Sequence, residues 1–180
     1  MKSRRRVNSA VMRVLLTLVF LVLLAAPIAA QNSAARDYSH VTITLTMDGT
    51  HCFCALSEDS EVQCCPNYSA SVNENGNVTY NGGLGARVRG QKVHSIPIQA
   101  VRDLVADFFR IDFFSREERY VVDRSGKIFM VDHSYASTIS IDIDGKKKSV
   151  YLFYGEPEEL DALRSKLFDT LKIAAYVGPA

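Results

Sequence analysis

The chain has 180 residues, 47% of them hydrophobic and 23% charged, with no tryptophan. This is an ordinary globular composition, which excludes a collagen-like repeat, a low-complexity disordered chain and a polytopic membrane protein. The formal net charge is +1, but Lys2, Arg4, Arg5, Arg6 and Arg13 all lie in the first 30 residues, which hold no acid; the remainder keeps 16 of the 21 basic groups against all 20 acids, a balance of −4 that argues against a nucleic-acid partner.

The basic start is followed by residues 14–26, VLLTLVFLVLLAA, then Pro27 and the small residues Ala29 and Ala30. A basic start, a short apolar stretch and a small-residue exit predict a secretory signal peptide over residues 1–30. The arginines stay on the negative cytoplasmic side as the apolar stretch inserts. A permanent span needs ~20 apolar residues, more than this run supplies. Cleavage is expected near Ala30–Gln31, with Ser33-Ala34-Ala35 as a second possible exit. No cysteine follows the run to carry a lipid. The protein is therefore expected in the periplasm or outside the cell, meeting the membrane only through its signal. What remains is one domain by length: a flexible segment 31–40, an α+β domain 41–175 and a frayed tail 176–180.

Val41–Met47 alternates branched apolar residues with threonine and predicts a strand. All four cysteines follow within fourteen residues: Cys52, Cys54, Cys64 and Cys65. In an exported protein an even, clustered count predicts disulfides. Adjacent Cα atoms lie ~3.8 Å apart, below the ~4.4–6.8 Å of an unstrained bridge, which disfavours Cys64 with Cys65; Cys52 with Cys54 would close a tiny ring. The expected pattern joins the first pair to the second, and one such bridge over a loop of this size contributes roughly 3 kcal/mol in the chain-entropy treatment. It would pinch the polar, acidic loop Ala55–Gln63 at its base. Two sharper readings compete. Four thiolates with His51 could hold zinc, although C-x-C and C-C match structural zinc spacing poorly. Strained vicinal pairs could be reducible, although no βαβ pattern surrounds them.

Tyr68–Val72 and Val78–Tyr80 read as a hairpin around Glu74-Asn75-Gly76, broken at Asn81-Gly82-Gly83. Arg87–His94 predicts a further strand. Pro97 opens a helix with an apolar stripe at Ile98, Val101, Leu104, Val105, Phe108 and Phe109, ending near Ile111–Phe114. Ser115–Tyr120 is a charged connection. Ile128–Val131 and Thr138–Ile143 predict strands, the second closing a hairpin through Asp144-Gly145 onto Val150–Tyr154. A second helix begins at Pro157 and carries Leu160, Leu163, Leu167, Leu171 and Ala174. Short turns imply a mainly antiparallel sheet. Two amphipathic helices need a surface to cover, so the expected fold is a two-layer α+β sandwich with both helices on one face.

No catalytic residue, metal or cofactor is predicted. Asp132-His133-Ser134 holds triad residue types, but consecutive residues point in different directions, and no G-x-S-x-G elbow occurs. His40, His51, His94 and His133 show no metal-helix spacing. Glu158-Glu159 sits where acids offset a helix dipole, and Glu117-Glu118 and Asp142/Asp144 show no facing cleft. Gly82-Gly83-Leu84-Gly85 lacks the Lys-Ser/Thr of a P-loop. Lys146-Lys147-Lys148 reads as a solvated hairpin tip.

Cys65-Pro66-Asn67-Tyr68, Gly76-Asn77-Val78-Thr79-Tyr80-Asn81-Gly82, Phe109–Ser115, Thr138-Ile139-Ser140-Ile141, Gly145-Lys146 and Tyr154-Gly155-Glu156-Pro157, in that order, resemble an exported bacterial family known as domain of unknown function 6438. The resemblance implies export and the α+β fold over roughly Val41 to Ala175, and implies no activity. In that family an earlier cysteine lies only a few residues before the one in C-P-x-Y. Here Cys52 and Cys54 lie eleven or more residues before Cys65, and Cys64 is extra, so the chain carries an insertion and a second cysteine pair. The functional expectation is a non-catalytic binding or envelope-structural module for a protein or glycan, with a redox or metal protein built on the cysteines as the alternative.

Overall fold

A computed structural model describes residues 38–49, 55–56, 62–63, 65–121 and 136–177. The expected signal peptide, the strand Ile128–Val131, the motif Asp132-His133-Ser134 and His51, Cys52, Cys54 and Cys64 lie outside them. In chain order the elements are β1 (Val41–Asp48), β2 (Ala55–Leu56), β3 (Val62–Gln63), β4 (Tyr68–Asn73), β5 (Asn77–Gly82), β6 (Gly90–Ser95), α1 (Ile98–Arg110), a 3₁₀ turn (Phe113–Ser115), β7 (Arg119–Val121), β8 (Ala136–Ile143), β9 (Lys146–Tyr154), α2 (Glu158–Thr170) and α3 (Ala174–Val177).

Seven strands form one sheet in the order β6-β5-β4-β1-β8-β9-β7, and β2 pairs β3 separately. β1 runs through the middle, with Leu45 between Ala70 on β4 and Ile139 on β8. Alternation along each strand sends one set of side chains to a single core. Ile43, Leu45, Ala70, Val78, Tyr80, Ile139, Val150 and Leu152 are fully buried there, joined by Val101, Leu104, Val105 and Phe108 of α1 and by Leu160, Leu163 and Leu167 of α2. The fold is α+β in two layers, as expected.

The sheet is mainly antiparallel, as expected, and the one parallel pair among the described strands is β7 beside β9 at the edge. Several expectations are corrected. Ser115–Tyr120 reads as a connection because a three-residue strand is too short to show periodicity. It is held by the Tyr151 N–H donating to the Glu118 carbonyl at 2.9 Å and by the Arg119 guanidinium 5.0 Å over the Tyr151 ring. The stripe on α1 is narrower than predicted: Ile98 is 49% and Phe109 38% exposed. At 3.6 residues per turn both lie roughly 70–90° from the stripe's centre, and Phe109 instead meets Phe114 at the rim, 5.9 Å between centroids. The stripe on α2 does not run on to Ala174, which is exposed. Lys172 adopts φ +55°, and the Lys172 and Ile173 amides donate to the carbonyls of Asp169 (3.0 Å) and Phe168 (3.1 Å). That is a Schellman cap, and it turns Ile173 rather than Ala174 into the core. The tail expected to fray from residue 176 instead packs Tyr176 and Val177 against the core. The lysine run at 146–148 lies within β9: Lys147 pairs with Asp142 at 3.2 Å, Lys148 with Glu118 at 3.9 Å, and Lys146 sits 4.1 Å over the Phe114 ring.

The two hairpin turns that flank the start of β1 are both tied to the chain entering it. Asp144 and Gly145 take φ of 50° and 86°, the mirror-image turn that a two-residue hairpin needs. The Asp144 carboxylate then accepts from the Ser39 hydroxyl (2.7 Å), the Ser39 amide (3.1 Å) and the His40 amide (2.9 Å). These bonds, the Ser39 hydroxyl foremost, hold its carboxyl below the usual carboxylate range. Glu74 accepts the Val41 amide at 3.2 Å, and backbone amides, its own first, lower its carboxyl likewise. Residues 38–40, expected as the end of a flexible segment, are thus fastened to the domain.

Candidate binding face

The helices cover one face of the sheet; the other face carries the residues that alternate with the core. Thr42, Thr44 and Thr46 project there from β1, all half-buried. The cross-strand register extends each into a row. Val93, Thr79, Ser71, Thr44, Ser140 and Ser149 lie side by side across six strands. Asn81, Ser69, Thr46, Thr138 and Tyr151 make the next row, and Asn73, Thr42, Asp142 and Lys147 the third. Strand geometry spaces these groups ~4.8 Å across the sheet and ~6.7 Å along it. The result is a lattice of short hydroxyls and amides. Such side chains have little rotamer freedom to lose on contact, unlike lysine or glutamate. The Ser140 and Ser149 hydroxyls hydrogen-bond at 2.7 Å.

An open trough of about 520 Å³ runs over this lattice, lined by Thr42, Thr44, Ser140, Asp142, Lys147 and Ser149, with Glu118 and Lys148 at the β9 end. Asp142 and Lys147 face each other across the β8–β9 ladder. Asp142 also accepts the Gly145 amide at 3.0 Å, which fixes its carboxylate at the trough's end. The trough therefore offers donors and acceptors of both kinds plus two ion pairs, Asp142–Lys147 and Glu118–Lys148. Among the described residues no three His, Cys, Asp or Glu side chains converge to hold a metal ion.

The structure separates Asp142 from Asp144 and keeps Glu158 and Glu159 together. Asp142 faces the trough while Asp144 caps the chain entry. Glu158, Glu159 and Asp161 occupy the first turn of α2, where they favour the helix dipole. Of the cysteine cluster the structure describes Cys65, which carries no free thiol. It is half-buried beside Gly49, whose added Cβ would run into the Cys65 carbonyl. The Asn67 side chain accepts the Gly49 amide at 2.6 Å, and the Asn67 backbone bonds to Leu84 (2.8 Å) and Gly83 (2.7 Å). Cys65-Pro66-Asn67 is thus clamped between the end of β1 and the glycine loop, which is a structural role for that loop.

Sequence reading found the alternation of Val41–Met47 but did not single out its threonines. The signal that could have found them is the same T-x-T-x-T spacing read for its polar half.

The family model described as "Domain of unknown function (DUF6438)" matches residues 62–171. The matched stretch begins at β3 and ends at Leu171, the buried residue that caps α2, so β1 precedes it although β1 forms the middle of the sheet. Comparison with curated proteins finds no match. Because the matched stretch covers well over half of the sequence, the chain belongs to the Domain of unknown function (DUF6438) family.

Proposed function

We propose that this is an exported, disulfide-pinned binding module of the bacterial cell envelope, and that it engages a glycan through the hydroxyl lattice of the sheet. The observation that carries this reading is the row Thr79, Ser71, Thr44, Ser140 and Ser149, five short hydroxyls from five adjacent strands, of which Thr44, Ser140 and Ser149 line the open trough. Sugar hydroxyls are donors and acceptors at comparable spacing. A rigid surface that matches them loses little side-chain entropy on binding. The trough volume falls within the range of small-ligand sites, ~300–1,000 Å³. The test is co-sedimentation with purified peptidoglycan sacculi together with a soluble glycan array. Thr44→Lys, which keeps the strand but raises a long cation from the lattice's centre, is expected to weaken binding by about tenfold or more. Absence of glycan binding by the parent protein, or an unchanged affinity in Thr44→Lys, overturns the reading.

The cysteines belong to the same proposal as staples: Cys65 bonds to Cys52 or Cys54, and Cys64 to the other. Support comes from the Cys65 sulfur not being a free thiol and from the poor geometry of an adjacent Cys64–Cys65 bridge. Intact mass of protein purified from the periplasm, with and without reductant, is expected to differ by four hydrogens, with no thiol open to labelling. Two readily labelled thiols would favour the redox reading, and co-purifying zinc the metal reading at His51, Cys52, Cys54, Cys64 and Cys65.

A further inference from the structure

β6 is the outermost strand beyond β5. The Ile96 amide donates to the Gly76 carbonyl at 2.9 Å, so Ile96 faces the β5 side. Antiparallel pairing alternates, so His94, Lys92 and Gly90 also face β5, opposite Val78, Tyr80 and Gly82. The N–H and C=O groups of Gln91, Val93 and Ser95 therefore point away from the sheet. All three residues are exposed, Val93 to 65%, and no described strand pairs with this edge. The edge is an open template for another strand.

Its charge is one-sided. Between Glu74 and Asp103 the sequence holds Arg87, Arg89, Lys92 and Arg102 and no acid, in a chain whose residues after 30 are net acidic; Arg89 and Lys92 lie at β6 and Arg102 on α1. Among the described residues, Arg89, Lys92 and Arg102 form no ion pair, and the Arg87 guanidinium donates to the Ala175 carbonyl. A single edge lysine can be explained as a guard against aggregation. Arg89 and Lys92, at the start of the strand and on it, have no ion-pair partner among the described residues and go further, because they define which strand the edge accepts. A second copy of β6 would bring the same cations onto itself, and like charges across a strand pair are unfavourable.

We propose that β6 docks an extended, acidic peptide segment of a partner protein as an eighth strand of the sheet. Its main chain bonds to Gln91, Val93 and Ser95. Its side chains alternate, an apolar one beside Val93 on the hydroxyl face and acidic ones on the other face beside Lys92, with Arg89 near the strand's start. This is strand addition with charge selection. It does not depend on the glycan reading, whose lattice centres on Thr44 of β1, three strands from β6.

The test is fluorescence anisotropy of a labelled, end-blocked ten-residue peptide of alternating Glu and Val, titrated with the full mature protein, against a Lys-Val peptide of equal length. The Glu-Val peptide is expected to bind about tenfold or more tighter than the Lys-Val peptide, and less tightly as salt rises. Val93→Pro removes an outward N–H while leaving the β5 ladder untouched, a position at which edge strands tolerate proline; it should weaken binding about tenfold. The double variant R89E/K92E should reverse the preference between the two peptides. It carries the test by itself if Val93→Pro lowers the melting temperature. Equal binding of the two peptides, no binding at millimolar protein, or an unreversed preference in R89E/K92E overturns the proposal. So does a concentration-dependent dimer, seen by sedimentation, that competes with the peptide.

Discussion

Gly76→Ala is expected to cost the domain roughly 3 kcal/mol or more. Two effects add. Gly76 holds φ +78°, where a Cβ costs roughly 1–2 kcal/mol. Its added Cβ would also run into the Ile96 carbonyl, a backbone atom that cannot swing aside. Retreat is blocked on both sides: Ile96 donates to the Gly76 carbonyl at 2.9 Å, and the Gly76 amide donates to Asn73 at 3.0 Å. The Asn73 side chain also holds the amides of Asn75 (3.1 Å) and Asn77 (3.0 Å). The turn must open or β6 must part from β5. Urea unfolding measures this as a midpoint lowered by about 1.5–2 M, at an m-value of ~1.5–2 kcal/mol/M. Gly145→Ala is the control. Its φ is +86° but nothing lies within 4 Å of an added Cβ, so it should show the conformational strain alone. Equal losses in the two variants would mean that contact with Ile96 contributes nothing.

The same contrast explains what could be read from the sequence. Gly76 and Asp144-Gly145 announce turns because their residue types suit positive φ, and the flanking alternation fixes which side chains face the core. β1, β4, β8 and both long helices follow from patterns of that local kind. The missed features depend on partners distant in sequence. Arg119–Val121 becomes a strand only because β9 offers an edge and Tyr151 offers a ring to Arg119. The break at Lys172 cannot be read from the leucine spacing, which continues through it; it is set by where the core needs Ile173. The candidate face was half legible. Threonines at alternate positions of β1 are visible in the sequence, but that Thr79, Ser71, Ser140 and Ser149 fall in line with Thr44 is a matter of register. Arg89 and Lys92 make no compact charge signal in the sequence, whereas Lys146-Lys147-Lys148 does and is held by Asp142, Glu118 and Phe114.

Tyr80→Phe is expected to leave the domain as stable as the parent or more stable by up to ~1 kcal/mol, whereas Tyr80→Ala should cost roughly 3–5 kcal/mol. The Tyr80 ring is fully buried and stacked between Tyr68, at 6.0 Å, and Tyr176, at 4.6 Å. Tyr176 continues the series by hydrogen-bonding His94 Nδ1 at 3.1 Å. The ring is therefore a main support of the core under β4, β5 and α3, and truncation leaves a cavity there. Its hydroxyl is different. The phenol oxygens of Tyr80 and Tyr68 are buried with no hydrogen-bond partner among the described residues, so each gave up solvation without replacement. Burial pushes both phenols above their ordinary value near 10, Tyr68 further than Tyr80. The linkage has a definite sign. Below pH ~10 the phenols are neutral in both the folded and unfolded chain, and their contribution is fully present. Above it the unfolded chain loses protons that the folded one keeps, so stability falls as pH rises toward the folded-state values. Urea midpoints between pH 8 and 11 should therefore decline more steeply for the parent than for the double variant Tyr68→Phe/Tyr80→Phe. The difference between the two curves removes the shared titration of lysines. Identical slopes would show that neither hydroxyl titrates differently on folding. A loss of stability in Tyr80→Phe at pH 7 would show that the Tyr80 hydroxyl has a bonding role, and would make this buried phenol the next position to probe for a ligand.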